Sequence, residues 1–195
     1  MKKFLTTLSA VALLIGLGNS ARAANGQLNF ETFDVSDDLT QHIVFHTDGV
    51  TKVEGPNVVG RIFIGSTADF SSMTAIGSGA APFATGQGAG FIDAGQMNAG
   101  LITTTGFDSG QSIFYSLAAW DTTTGDGTFA GALTAKGNST PVMINVGGSL
   151  ANGDPGPAPS VLNTFASFNL EVVPEPSTVA LGVIGGLALL MRRRK

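Results

Sequence analysis

The chain has 195 residues, 43% of them hydrophobic and only 12% charged, with 27 Gly and no Cys. That length suits one domain or two small ones, and the low charge excludes a coiled coil and a charged disordered tail. The absence of Cys excludes a disulfide scaffold, a thiolate metal site and a Cys nucleophile together, while a net charge of −4 argues against nucleic acid as a partner.

Residues 1–23 have the three parts of a secretory signal peptide. Lys2 and Lys3 form the basic region, residues 4–17 are mostly apolar, and Ala21-Arg22-Ala23 places small residues at positions −3 and −1 of a signal-peptidase site. The reading is export with cleavage after Ala23. An uncleaved anchor is disfavoured because the run is short and ends at A-x-A.

Residues 24–172 form the expected domain. Its only cations are Lys52, Arg61 and Lys136, against thirteen carboxylates, hence a net of −10. The basic residues at the two ends mask this acidity, which would repel phosphate polymers and attract divalent cations. Periodicity points to strands. Gln27–Glu31 and residues 167–172 alternate apolar with polar, as a half-buried strand does. Val58–Ile64 and Ile113–Trp120 are more continuously apolar, as central strands are. Further strands are expected near Ile43–Phe45, Phe91-Ile92, Leu101–Thr104 and Val142–Val146, and a small helix around Ser66–Ala75, opened by Asp69 and Phe70. Asp48-Gly49, residues 54–57, Gly125-Asp126-Gly127 and Gly147-Gly148 supply the turns. The expected fold is all-β: an antiparallel β-sandwich, jelly-roll or immunoglobulin-like, flanked by the signal peptide and a short C-terminal transmembrane helix.

Candidate chemistry is sparse. His42 and His46 are the only histidines, and on one strand they stand about 13 Å apart, too far to share one ion. Gly106-Phe107-Asp108-Ser109-Gly110 has its serine one position late for a nucleophile elbow. Residues 86–90 (GQGAG) lack the Lys-Ser/Thr of a phosphate loop and read as a flexible connection. No catalytic residue and no cofactor is assigned. Calcium is the one metal considered, at Asp121 and Asp126 around a Gly-containing loop, with Asp34, Asp37, Asp38 and Asp48 as a second acidic set. Turn chemistry competes for every one of them, since Asp before Gly suits a tight turn. Trp120 and Tyr115 are the amphipathic aromatics, and Trp120, ending an apolar strand, is expected to pack rather than to hold a sugar.

Residues 173–195 close the chain. Pro174-Glu175-Pro176 precedes an apolar helix at 178–191, and Arg192-Arg193-Arg194-Lys195 ends it. The apolar core of roughly 13 residues spans about 20 Å as a helix, short of a ~30 Å bilayer core. The terminal cations act as a stop-transfer signal and keep that end cytoplasmic. These three features in this order resemble the PEP-CTERM sorting signal. The resemblance implies recognition by an exosortase, a membrane-embedded protease or transpeptidase, with Pro174, Glu175 and Pro176 as the motif. It also implies an inner-membrane intermediate held by the helix, processing near the motif, and a final place in the cell envelope, at the cell surface or in the extracellular matrix. Association with exopolysaccharide and biofilm is part of the same implication. Residues 48–52, 81–86 and Trp120-Asp121 resemble, more weakly, a recurrent ectodomain of such proteins, which brings no activity with it. The expected function is a non-enzymatic, structural or adhesive envelope protein. The alternatives are a carbohydrate- or calcium-binding module of the same fold and, last, a hydrolase with paired carboxylates.

Overall fold

The computed structural model describes residues 25–30, 42–93, 100–150, 153–162, 164–174 and residue 184. The signal peptide and its cleavage site at Ala21 and Ala23, Asp34, Asp37 and Asp38, Glu175 and Pro176, the apolar helix apart from Ile184, and the basic tail lie outside the described residues. No described helix is long and apolar enough to cross a membrane.

The described chain is all-β. Its twelve strands are β1 (Asn25–Phe30), β2 (Val44–Phe45), β3 (Gly55–Gly65), β4 (Thr74–Ala75), β5 (Ala81–Phe83), β6 (Gly100–Asp108), β7 (Ser112–Asp121), β8 (Ala135–Asn138), β9 (Val142–Asn145), β10 (Ser160–Val161), β11 (Phe168–Asn169) and β12 (Glu171–Val172). The spine is the antiparallel pair β3–β7, in unbroken register from Val58↔Asp121 to Gly65↔Phe114. Around it the largest sheet runs β12-β8-β7-β3-β4, with β5 also on β3 and β9 also on β7. A second sheet has the order β10-β1-β6, and β2 pairs with β11.

The alternation read in Gln27–Glu31 is realised on β1, where Leu28 and Phe30 are buried, whereas β3, continuously apolar in sequence, alternates in burial, with Val58, Gly60, Ile62 and Ile64 inward. On β7 every residue from Tyr115 to Trp120 is buried, which matches its continuous apolar run. Burial there takes in one polar side chain, Ser116, whose hydroxyl donates to the Ser139 carbonyl at 2.7 Å. Leu28, Phe30 and Ile102 of the second sheet join Ile62, Ile64, Ile113 and Leu117 of the first in one core. Each such side chain contributes about 1.5–3 kcal/mol on leaving water, so this shared core outweighs any single loop contact.

Several expectations need correction. Antiparallel pairing is not universal, because β1–β10 and β2–β11 are parallel. The helix expected around Ser66–Ala75 is a single 3-10 turn at Phe70–Ser72, in which Asp69 accepts the Ser71 N–H, and the chain then enters β4. Phe91-Ile92 contributes only a lone bridge from Ile92 to Phe83. The four strands without an apolar alternation of their own, β4, β5, β8 and β10, are each two to four residues long and exist by pairing with longer neighbours.

Candidate functional site

The two histidines are set apart by the backbone. Only Val44-Phe45 is strand, and His42 lies before it at φ 64°. The His42 Nδ1 hydrogen-bonds to the Phe165 carbonyl, and its ring meets the Phe165 ring edge-on with centroids 5.4 Å apart. His42 is therefore a strut between β2 and the loop before β11.

The acidic turns use their own carboxylates. Asp48 accepts from the N–H groups of Val50 and Thr51 and from the Thr51 hydroxyl. That hydroxyl, with the two N–H groups, lowers its pKa to about 2. At Asp121 partial burial pushes the pKa up, but the Thr123 hydroxyl and N–H outweigh it and hold the carboxyl below its ordinary value. Asp126 is lowered in the same way by the hydroxyl and N–H of Thr128. Each carboxylate thus closes a turn two or three residues long. Among the described residues no three His, Asp or Glu side chains gather to hold a metal.

The loop motifs resolve similarly. The Ser109 hydroxyl donates to the Gly148 carbonyl at 2.9 Å and so ties two loops together. The GQGAG segment is a 3-10 turn at Gly86–Gly88, and the Gly86 N–H is already bonded to the Glu54 carboxylate at 3.2 Å. The expectation of a flexible connection gives way here. Gly90, at φ 91°, donates to the Val53 carbonyl and accepts from the Val44 N–H, clamping the loop onto β2.

Trp120 is 4% exposed and packs, as the apolar strand before it suggests. Its indole N–H donates to the Gly127 carbonyl at 2.9 Å, and its ring meets Phe129 edge-on at 5.9 Å. Phe63 and Phe70 complete the aromatic cluster. Beside it opens a cleft of about 500 Å³ lined by Phe129, Lys136, Asn138, Phe168, Asn169 and Glu171. Lys136 and Glu171 are direct partners on the β8–β12 pair. The Lys136 ammonium sits 5.4 Å from the centre of the Phe129 ring and donates to the Phe129 and Ala130 carbonyls. An aromatic face ringed by amides, an ammonium and a carboxylate can stack and hydrogen-bond a polyhydroxylated ligand. Sequence reasoning missed this cleft because β8 reads Ala-Lys-Gly-Asn, with no strand alternation to mark it.

A second cleft, of about 570 Å³, lies between the β3–β4 edge and β6, and Ile64, Ala75, Ile76, Leu101, Ile102 and Thr103 are among its walls.

At the C-terminal side the Val173 N–H bonds to the Thr134 carbonyl at 2.9 Å, and Pro174 follows, exposed. Pro174 is the one residue of the triplet among the described residues. Residues 172–195 match the family described as the PEP-CTERM protein-sorting motif. No curated protein and no solved structure matches the chain. The chain carries a PEP-CTERM sorting motif, which marks it as an exported protein that crosses the membrane and is processed by an exosortase.

Proposed function

We propose that the chain is a non-enzymatic structural or adhesive protein of the cell envelope or extracellular matrix. In this reading signal peptidase cuts after Ala23, residues 24–172 are a β-sandwich ectodomain, and residues 178–191 hold the precursor in the inner membrane. Arg192 to Lys195 stop transfer, and Pro174, Glu175 and Pro176 present the motif to the exosortase. The protein acts without a cofactor. The observation that supports this reading is the sorting motif at residues 172–195, whose first proline, Pro174, is exposed. The intact mass of the protein from its native host tests it. Loss of both ends is expected, and Glu175→Ala should leave the C-terminal segment attached. A mature protein that retains residues 177–195 would overturn the reading.

A second reading, a carbohydrate-binding module, draws support from the cleft around Phe129, Lys136 and Glu171. Binding on a glycan array that Lys136→Ala and Glu171→Gln abolish would favour it.

A further inference from the structure

The residues matched as the sorting motif begin at Val172, inside β12, so the sheet and the processing enzyme meet on the same stretch of chain. β12 pairs with β8 at Glu171↔Lys136 and Val172↔Ala135. One residue on, the Val173 N–H bonds to the Thr134 carbonyl. By alternation Glu171 and Lys136 also exchange backbone bonds, whereas Val172 and Ala135 form a non-hydrogen-bonded pair. The other side of β8 agrees. The Ser139 N–H bonds to the Leu117 carbonyl of β7, so Ser139, Gly137 and Ala135 turn their backbone groups to β7, and Lys136 and Thr134 turn theirs to β12.

This attachment is slight and has a definite limit. β12 stands at the end of its sheet order, two residues long, with both side chains exposed. The Lys136 ammonium bonds to the Phe129 and Ala130 carbonyls and keeps those partners when β12 is away. Leu170 is held differently. It is 2% exposed, belongs to the core, and bonds its N–H to the Phe45 carbonyl at 2.9 Å. Local opening of β12 therefore stops at Leu170 and releases Glu171, Val172 and Val173, about 10 Å of extended chain.

An enzyme that takes a peptide in extended form bonds to its main chain. While Glu171 and Val173 are bonded to β8, those groups are closed to any other partner, and Pro174 has no N–H to offer. We propose that β12 is a catch on processing: the exosortase acts on the chain only after Glu171–Val173 has come away from β8. This regulation rests on the exosortase reading of residues 174–176, whose access it sets. Where opening and closing are fast, processing follows the population of the open state, so a stronger β8–β12 pair slows it and a weaker one speeds it.

The chain has no native Cys, so β12 can be locked in place. A non-hydrogen-bonded pair has Cα atoms about 4.5 Å apart, within disulfide range, and Ala135→Cys with Val172→Cys bridges β8 and β12. In cells of the native host the oxidised full-length precursor, its disulfide verified by mass, should lose its C-terminal segment roughly tenfold more slowly than wild type. Reductant added to the cells should restore the rate, and either single Cys variant should stay within about twofold of wild type. Glu171→Pro lies outside the matched residues and removes one N–H from the pair, which keeps the catch testable where the staple does not form. It should be processed about threefold faster with Tm unchanged, because β12 lies outside the core. Processing of the locked precursor at the wild-type rate, or of Glu171→Pro no faster than wild type, would overturn the catch. Failure of the exosortase reading looks different: wild type and Glu175→Ala would then be processed alike, or not at all, whatever the state of β12, and the catch would fall with it.

Discussion

The Tyr115 hydroxyl, in the middle of β7, accepts the Thr164 N–H at 2.9 Å and lies 3.1 Å from the Thr164 hydroxyl. Tyr115 has no solvent exposure, and its burial is the main reason that its pKa is raised. The pair is the polar fastening between the central strand and the loop that delivers Phe165 to the core. Tyr115→Phe keeps the ring and removes the acceptor, which strands a half-buried N–H. The expected cost is about 1–3 kcal/mol, a fall of several degrees in Tm. A Tm within one degree of wild type by calorimetry would show that the fastening carries nothing.

Gly90 and Gly86 share one loop and one backbone sign, at φ 91° and 66°, yet differ in their surroundings. A Cβ on Gly90 would stand 2.4 Å from Ile43 Cγ2, whereas one on Gly86 would meet nothing within 4 Å. Gly86→Ala should carry only the left-handed backbone penalty, roughly 1–2 kcal/mol. Gly90→Ala adds overpacking against a buried isoleucine, for a total of roughly 2–4 kcal/mol. Urea midpoints of the two variants check the order, and equal midpoints would contradict the clamp described for this loop.

This loop also shows where the sequence is silent. A run such as GQGAG gives no sign that Ile43 and Val53 wait on the other side of Gly90, since those contacts are set by pairing remote in sequence. The strands that could be read, β3 and β7, are those whose buried faces are written into their own residues. β8 could not be read, because its Lys, Gly and Asn take strand geometry only from the register that β7 imposes at Ala118↔Asn138 to Trp120↔Lys136. The cleft at Phe129 stayed hidden for the same reason. The sorting motif was legible, because the order of its features within residues 172–195 is a local property. The acidic turns were half legible: Asp before Gly predicts the turn, but only the positions of Thr51, Thr123 and Thr128 show that each carboxylate is already engaged.

Those engaged carboxylates set the response to acid. Asp48 titrates near 2 in the folded chain and near 3.9 when unfolded, so the folded state binds the proton less readily. Its contribution is fully present above about pH 5 and is lost as the pH falls through 4 toward 2, with Asp121 and Asp126 shifted in the same direction. Tm should therefore be flat from pH 7 to 5 and drop below pH 4. Asp48→Asn should show a lower plateau and a shallower drop. Parallel curves for wild type and variant would remove Asp48 from the account.

The last prediction concerns calcium, for which Asp121 and Asp126 were the sequence-based candidates. A hard cation needs six or more oxygens, and these two carboxylates are already turned onto the N–H and hydroxyl groups of Thr123 and Thr128. Binding would have to break those turns and displace the loop that Trp120 holds through the Gly127 carbonyl. Trp120 is the only tryptophan in the chain, so its fluorescence reports on that loop without labelling. Millimolar calcium, or its removal with chelator, is expected to leave both Tm and the Trp120 emission maximum unchanged. Trp120→Phe keeps a ring against Phe129 but frees the Gly127 carbonyl, at a cost of about 1 kcal/mol that calcium does not restore. A calcium-dependent rise in Tm that Asp121→Asn or Asp126→Asn abolishes would establish the site instead, because only a rearranged loop could release both carboxylates to the ion.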